Sequence, residues 1–204
     1  MFKRNKLHTA LVVTSVALMS SAAVAETTSG TASVEITNAF SLVETTSISF
    51  GNLQLTNDTS SGTNGVVVVS IPGDANPMTL TAADPTEASG NILAQGNPAV
   101  FDVTGAAPFT TMTIDLSGLN AVTLTNSDAP PATPTLTMDL SGTDQAFVVG
   151  GANDGLDLAT GDLVTDANGA VGLSLGGTLT SDDSATAVYA DGTYSGSYNL
   201  TITY

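Results

Sequence analysis

Beyond residue 8 the chain contains no lysine, arginine or histidine, and at no position does it contain cysteine or tryptophan. Each absence removes a class of chemistry. Without histidine or cysteine there is no Ser-His-Asp or Cys-His nucleophile system, and without lysine there is no Schiff base and no phosphate-binding lysine. Imidazole and thiolate metal sites and disulfides are excluded in the same way. No cation remains to neutralise a nucleic-acid phosphate. Carboxylates and tyrosines are the ionisable groups left. A carboxylate pair of the glycosidase kind needs a sugar platform, and the chain has no tryptophan to build one. No Asp-Thr-Gly or Asp-Ser-Gly triplet suggests an aspartic protease. The expectation is that the protein is not an enzyme.

What basic character exists is confined to Lys3, Arg4, Lys6 and His8. An apolar stretch follows, roughly residues 10–19, and then Ala23-Val24-Ala25. This order of positive, apolar and small residues reads as a secretory signal peptide over residues 1–25, cleaved before Glu26. The apolar stretch is about half the ~20 residues needed to span a bilayer, so no membrane insertion is expected. All nineteen acidic residues lie after residue 25, so residues 26–204 carry a formal charge of −19. Export to the periplasm, the cell surface or the medium is the expected localisation.

The remainder reads as one all-β domain, residues 26–204. Thirty-two threonines and short runs of Val, Ile and Leu are punctuated by twenty glycines and eight prolines, and no sustained 3.6-residue apolar period is present. Strands are expected at 32–43, 47–55, 65–71, 78–82, 99–104, 110–117, 121–125, 135–141, 145–149, 170–180 and 192–204. Strands at this spacing favour an antiparallel β-sandwich. At the N-terminal end Ala32, Val34 and Ile36 alternate with polar residues, which makes 26–43 a candidate donor or edge strand. At the C-terminal end Tyr194, Tyr198, Leu200, Ile202 and Tyr204 share one parity, with hydroxylated residues between them. Phe50, Phe101, Tyr194 and Tyr198 are expected in the core.

Residues 150–169 form the most acidic stretch, read as a Gly/Asp-rich loop outside the core. Asp154, Asp157, Asp162 and Asp166 are candidate calcium ligands there, because hard cations take clustered carboxylate and carbonyl oxygens. The motif is incomplete: there is one copy of a glycine-aspartate nonapeptide, and no glutamate completes an EF-hand loop after Gly169. Asn168-Gly169 is equally an ordinary hairpin turn. No other cofactor is expected.

Four segments together carry a resemblance. They are the N-terminal alternation running into Ile48-Ser49-Phe50-Gly51, the run PAVFDVTG from Pro98 to Gly105, the hairpin GAVGLSLGGTL at 169–179, and the ending DGTYSG from Asp191 to Gly196 carried on to Tyr204. Over nearly all of residues 31–204 these resemble the secreted bacterial family described as domain of unknown function 4402. The ending is also similar to spore coat protein U and to fimbrial pilins of the chaperone-usher type. The resemblance implies an Ig-like, pilin-like sandwich and assembly by donor-strand exchange, with a periplasmic chaperone and usher as partners. In that scheme Ala32, Val34 and Ile36 are donated, and Tyr194, Tyr198, Leu200, Ile202 and Tyr204 belong to the assembly face. The alternative is a self-contained secreted module whose loops hold a glycan or another surface ligand, stabilised by calcium.

The leader supplies a first prediction. N-terminal sequencing of the exported protein should begin at Glu26, and trypsin should find no site in the remaining chain; intact Met1 in the exported fraction would contradict this reading.

Overall fold

A computed structural model of the chain describes residues 33, 39–56, 65–74, 76–83, 85, 88–183 and 188–204. The leader, Ala32, Val34 and Ile36 lie outside the described residues. The compact unit Thr37–Tyr204 carries everything that follows.

Among the described residues fourteen strands succeed one another: β1 Ser41–Thr46, β2 Asn52–Leu55, β3 Val67–Ile71, β4 Thr79–Ala82, β5 Gly90–Ala94, β6 Ala99–Thr104, β7 Thr111–Asp115, β8 Val122–Leu124, β9 Leu136–Asp139, β10 Ala146–Val149, β11 Leu163–Val164, β12 Val171–Leu175, β13 Gly177–Thr180 and β14 Thr201–Thr203. Every pairing is antiparallel. Among the described residues one 3₁₀ turn, Thr143–Gln145, is the sole helical element.

One layer is the four-stranded sheet β1-β6-β12-β10. Opposite it lie the five-stranded sheet β4-β3-β13-β9-β8 and the three-stranded sheet β11-β7-β14. The period-2 pattern decides which side chains meet. Ala99 and Phe101 of β6, Leu173 and Leu175 of β12 and Ala146 of β10 pack in one cluster with Val67, Val69, Ile71, Leu136, Met138 and Leu179 of the five-stranded sheet. Farther along the same inner face, Val103, Val171 and Val148 pack with Met112, Leu163 and Ile202 of the three-stranded sheet. Both clusters thus hang on one continuous inner face, the arrangement of a β-sandwich. Each large side chain removed from water contributes about 1.5–3 kcal/mol.

The two layers share one strand. β12 pairs with β6 and β10 in the first layer, and β13, one residue later, pairs with β3 and β9 in the second. Gly176 is the single residue between them. A Cβ placed there would lie 2.2 Å from the carbonyl oxygen of Ile71 and 2.6 Å from the amide nitrogen of Gly73, so only glycine lets the backbone pass. The Gly176 amide also donates to the Gln145 carbonyl at 2.9 Å, which ties the corner to the start of β10.

Three expectations are corrected. The stretch 192–204 is not one strand: Ser195 bridges Thr125, then pairing lapses until β14 meets β7. The partner causes the gap, because the chain between β7 and β8 leaves the sheet in a turn at 116–121 in which the Leu119 amide donates to the Leu116 carbonyl. Second, the acidic stretch is not wholly outside the core, since Leu163 is buried and Thr165 fully so. Its first half covers the outer edge of β10, with Val148 donating to Leu156, Gly155 to Val148 and Leu158 to Ala146. An unpaired edge is thereby closed without a helix. Third, β5 was not expected; its sequence, GNILA, carries only two large apolar residues.

The corner gives the second prediction. Gly176→Ala should cost at least about 2 kcal/mol in urea unfolding, because a backbone carbonyl cannot move aside. Gly118→Ala, where nothing lies within 4 Å, should change little. Equal effects at the two positions would contradict the corner's role.

Candidate functional site

The surface carries a groove of about 1000 Å³. One wall is the chain from Ile48 to Leu55, which includes β2; the other is residues 189–196. Its floor is apolar, from Leu124 of β8, Leu136 and Met138 of β9 and Leu179 of β13. These are core side chains, each less than a tenth exposed.

Tyrosines shape the second wall. Tyr194 closes its own loop: its hydroxyl accepts from the Ala190 amide at 3.1 Å and donates to the Ala190 carbonyl at 3.3 Å. The Tyr189 hydroxyl accepts from the Asp182 amide at 2.6 Å, and burial pushes its phenol above the ordinary range. The two rings meet edge to face, with centroids 6.2 Å apart. Beyond the groove the same segment lies on the first sheet, where Tyr198 packs edge-on against Phe101 and donates to Glu44 Oε1 at 3.1 Å. Burial, then the Glu44 carboxylate, raises the Tyr198 phenol so far that it remains protonated and a donor. Tyr204 meets Phe40 edge-on at 5.3 Å.

One strand edge borders the groove: β2 pairs with β5 on one side only. Past the other wall, among the described residues, no backbone hydrogen bond joins residues 197–200 to another segment. An extended chain with alternating burial and no ladder partner is an unsatisfied template for another strand. The sole formal charge on the lining side chains is Asp191, and no cation exists anywhere in the unit, so the groove suits neutral, apolar or cationic groups rather than anions.

Comparison of the chain with protein-family models, with curated proteins and with solved structures found no match.

The expected site residues separate into three groups. Ala32, Val34 and Ile36 lie outside the described residues. Tyr194 is a groove residue, while Tyr198 and Leu200 pack on the core of their own chain and Ile202 is buried in it, opposite Ile114; Tyr204 is half-exposed. Asp154, Asp157, Asp162 and Asp166 are not gathered. Among the described residues no group of three or more carboxylates is able to hold a metal ion.

Three of these aspartates instead close turns. Asp154 accepts from the Gly150 amide at 2.7 Å, Asp157 from the Thr160 amide at 2.8 Å, and Asp166 from the Asn168 and Ala170 amides at 2.8 and 2.9 Å. Asp162 contributes its main-chain carbonyl, to Asn153. The same device recurs outside the acidic stretch. Asp115 accepts from the amide and hydroxyl of Ser117, and Asp139 from those of Ser141, in two copies of one pattern: TMTIDLSG at 111–118 and TLTMDLSG at 135–142. That repeat was the signal in the sequence for these turns. Leu93, an exposed residue of the groove mouth, had no such signal. It is the extra residue of a β-bulge, since Asn52 pairs with Ala94 and Leu53 with Ile92.

Turn closure by carboxylates has a pH consequence. The Ala170 and Asn168 amides hold the Asp166 carboxyl below its ordinary value, and the hydroxyl and amide of Ser117 do the same for Asp115. A depressed carboxyl contributes stability that is complete above the unfolded value and lost as pH falls through the folded one. The melting temperature should therefore fall below about pH 4. Asp166→Ala should lower it at neutral pH and flatten the acid limb; a variant that keeps the wild-type pH profile would contradict this account.

Proposed function

We propose that the protein is a non-enzymatic structural subunit of an exported, fimbria-like filament, in which an extended segment of one copy completes the sheets of the next. The groove carries this reading, because the unpartnered edge of β2 flanks an apolar floor that a strand of alternating side chains would fill. Residues 31–37 carry the alternating sequence such a strand needs, with Ala32, Val34 and Ile36 at one parity. The resemblance of the ending to chaperone-usher pilins supports the same scheme and adds a periplasmic chaperone and usher as partners.

A second reading draws on the tyrosine pair. Tyr189 and Tyr194, with Asp191 between them and hydroxyls at Thr193 and Ser195, form a wall suited to stacking and hydrogen bonding with a neutral glycan. A self-contained binding module of that kind stays a compact monomer with its ligand in the groove.

The double variant Val34→Asp, Ile36→Asp separates the readings when its melting transition and size distribution are both measured. A donated strand gives a folded monomer that no longer assembles. Loss of the cooperative transition would place these side chains in the protein's own core and refute donation, because a buried unpaired carboxylate is costly.

A further inference from the structure

Four dipeptides in the chain place glycine after an asparagine or an aspartate: Asn64-Gly65, Asp154-Gly155, Asn168-Gly169 and Asp191-Gly192. In such a pair the glycine amide nitrogen attacks the preceding side-chain carbonyl carbon most readily, because glycine has no Cβ to hinder the approach. Asn64 lies outside the described residues. The other three pairs differ in what their amides are doing.

In two of them the nucleophile is occupied. The Gly155 amide donates to the Val148 carbonyl at 2.9 Å, and the Asp154 carboxylate accepts from the Gly150 amide at 2.7 Å. The Gly169 amide donates to the Asp166 carbonyl at 3.1 Å, and Asn168 Nδ2 donates to Asp166 Oδ2 at 3.2 Å. Asp191-Gly192 is the exception: both residues are exposed, and among the described residues no hydrogen bond engages the Gly192 amide or the Asp191 carboxylate. Asp191 is tied instead at its main-chain carbonyl, which accepts from Asn126 Nδ2 at 3.3 Å. That bond draws electron density from the peptide and so eases loss of the Gly192 amide proton. Exposure does not separate the pairs, since Asp154 and Gly155 are exposed too. Hydrogen bonding does.

We infer that Asp191 is a site of spontaneous isoaspartate formation in the folded protein, and that the change remodels the groove wall. The Gly192 nitrogen attacks Cγ of the protonated Asp191 carboxyl; a C–N bond forms, and the amide proton leaves with the carboxyl hydroxyl as water. Water then opens the five-membered imide at either carbonyl. Opening at the side-chain carbonyl restores aspartate. Opening at the main-chain carbonyl sends the backbone through Cβ and Cγ, one methylene longer, and leaves a free α-carboxylate. Water is the sole other reactant. The extra methylene falls in a short closed loop: the Tyr194 hydroxyl holds both the amide and the carbonyl of Ala190, so residues 191–193 bridge two points that are tied together. A longer bridge displaces one of them, and the carboxylate that moves is the sole formal charge among the groove's lining side chains. The inference rests on neither reading of the groove, since a strand and a glycan meet the same wall.

The test ages the folded protein, expressed from the full-length coding sequence, for weeks in neutral buffer. The sample is then unfolded and digested with a protease that cuts before aspartate but not before isoaspartate. Peptide 191–204 should decline as 183–204 replaces it, since no aspartate follows Asp191, while cutting before Asp154 persists. At least about a tenfold difference in rate is expected, because a hydrogen-bonded glycine amide reacts only from locally opened states. In urea the two sites should isomerise at comparable rates. The aged wild type should take a methyl label from an isoaspartyl methyltransferase on peptide 183–204, and Asp191→Glu, whose longer side chain closes a six-membered ring far more slowly, should take none there. The Ala190 amide should exchange its hydrogen faster in aged than in fresh protein. Equal rates at Asp154 and Asp191 in the folded protein, or isomerisation of Asp191 in urea alone, would overturn the site; an unchanged Ala190 amide in an isomerised sample would overturn the remodelling.

Discussion

The architecture depends on one residue-wide constraint, the passage of the backbone through Gly176. A single extended run contributes an inner strand of one layer and, one residue later, the central strand of the five-stranded sheet in the other. Its two halves are held by ladders on both sides, so neither layer can shift without breaking the other. The inward residues Val171, Leu173, Leu175 and Leu179 then define where the two core clusters form. Everything peripheral follows from which edges this core leaves uncovered. The edge of β10 is closed by the acidic loop, whereas the edge of β2 stands open beside the groove and the main chain at 197–200 runs on past it without a ladder partner.

The charge of the chain acquires a structural meaning from its turns. With no basic side chain in the unit, carboxylates cannot form ion pairs, and the turn-closing aspartates accept instead from backbone amides two to four residues away. This use needs no buried charge and carries no desolvation penalty of the kind a buried ion pair brings. In the acidic stretch three of the four candidate aspartates, Asp154, Asp157 and Asp166, have such donors.

Much of the fold is legible in the amino-acid sequence. Val67, Val69 and Ile71 are buried at alternate positions, and so are Ala99, Phe101 and Val103, because period-2 burial is written directly in side-chain type. The C-terminal alternation is equally real in its parity, with Tyr194, Tyr198, Leu200 and Ile202 facing inward, but the pattern records which face is buried and is silent on whether a neighbouring strand is present. That depends on the excursion at 116–121, remote in sequence. Leu163 and Thr165 were obscured by the aspartates and glycines around them. The groove was not legible at all, since it arises from strands more than a hundred residues apart. Phe109 illustrates the remaining limit: a lone aromatic after proline carries no sign that hydrogen bonds to residues 165–169 hold it outward.

Hydrogen exchange resolved to single amides, compared between separated monomer and assembled protein, tests the central claim most directly: the edge at the groove and the main chain past it stand open in one copy and are closed by another. In the monomer, amides of Val171–Leu175 should be among the slowest to exchange and those at 197–200 among the fastest, and assembly should slow 197–200 by orders of magnitude while leaving β12 unchanged. Protection of 197–200 in the monomer equal to that of β12, or no change there on assembly, would contradict it.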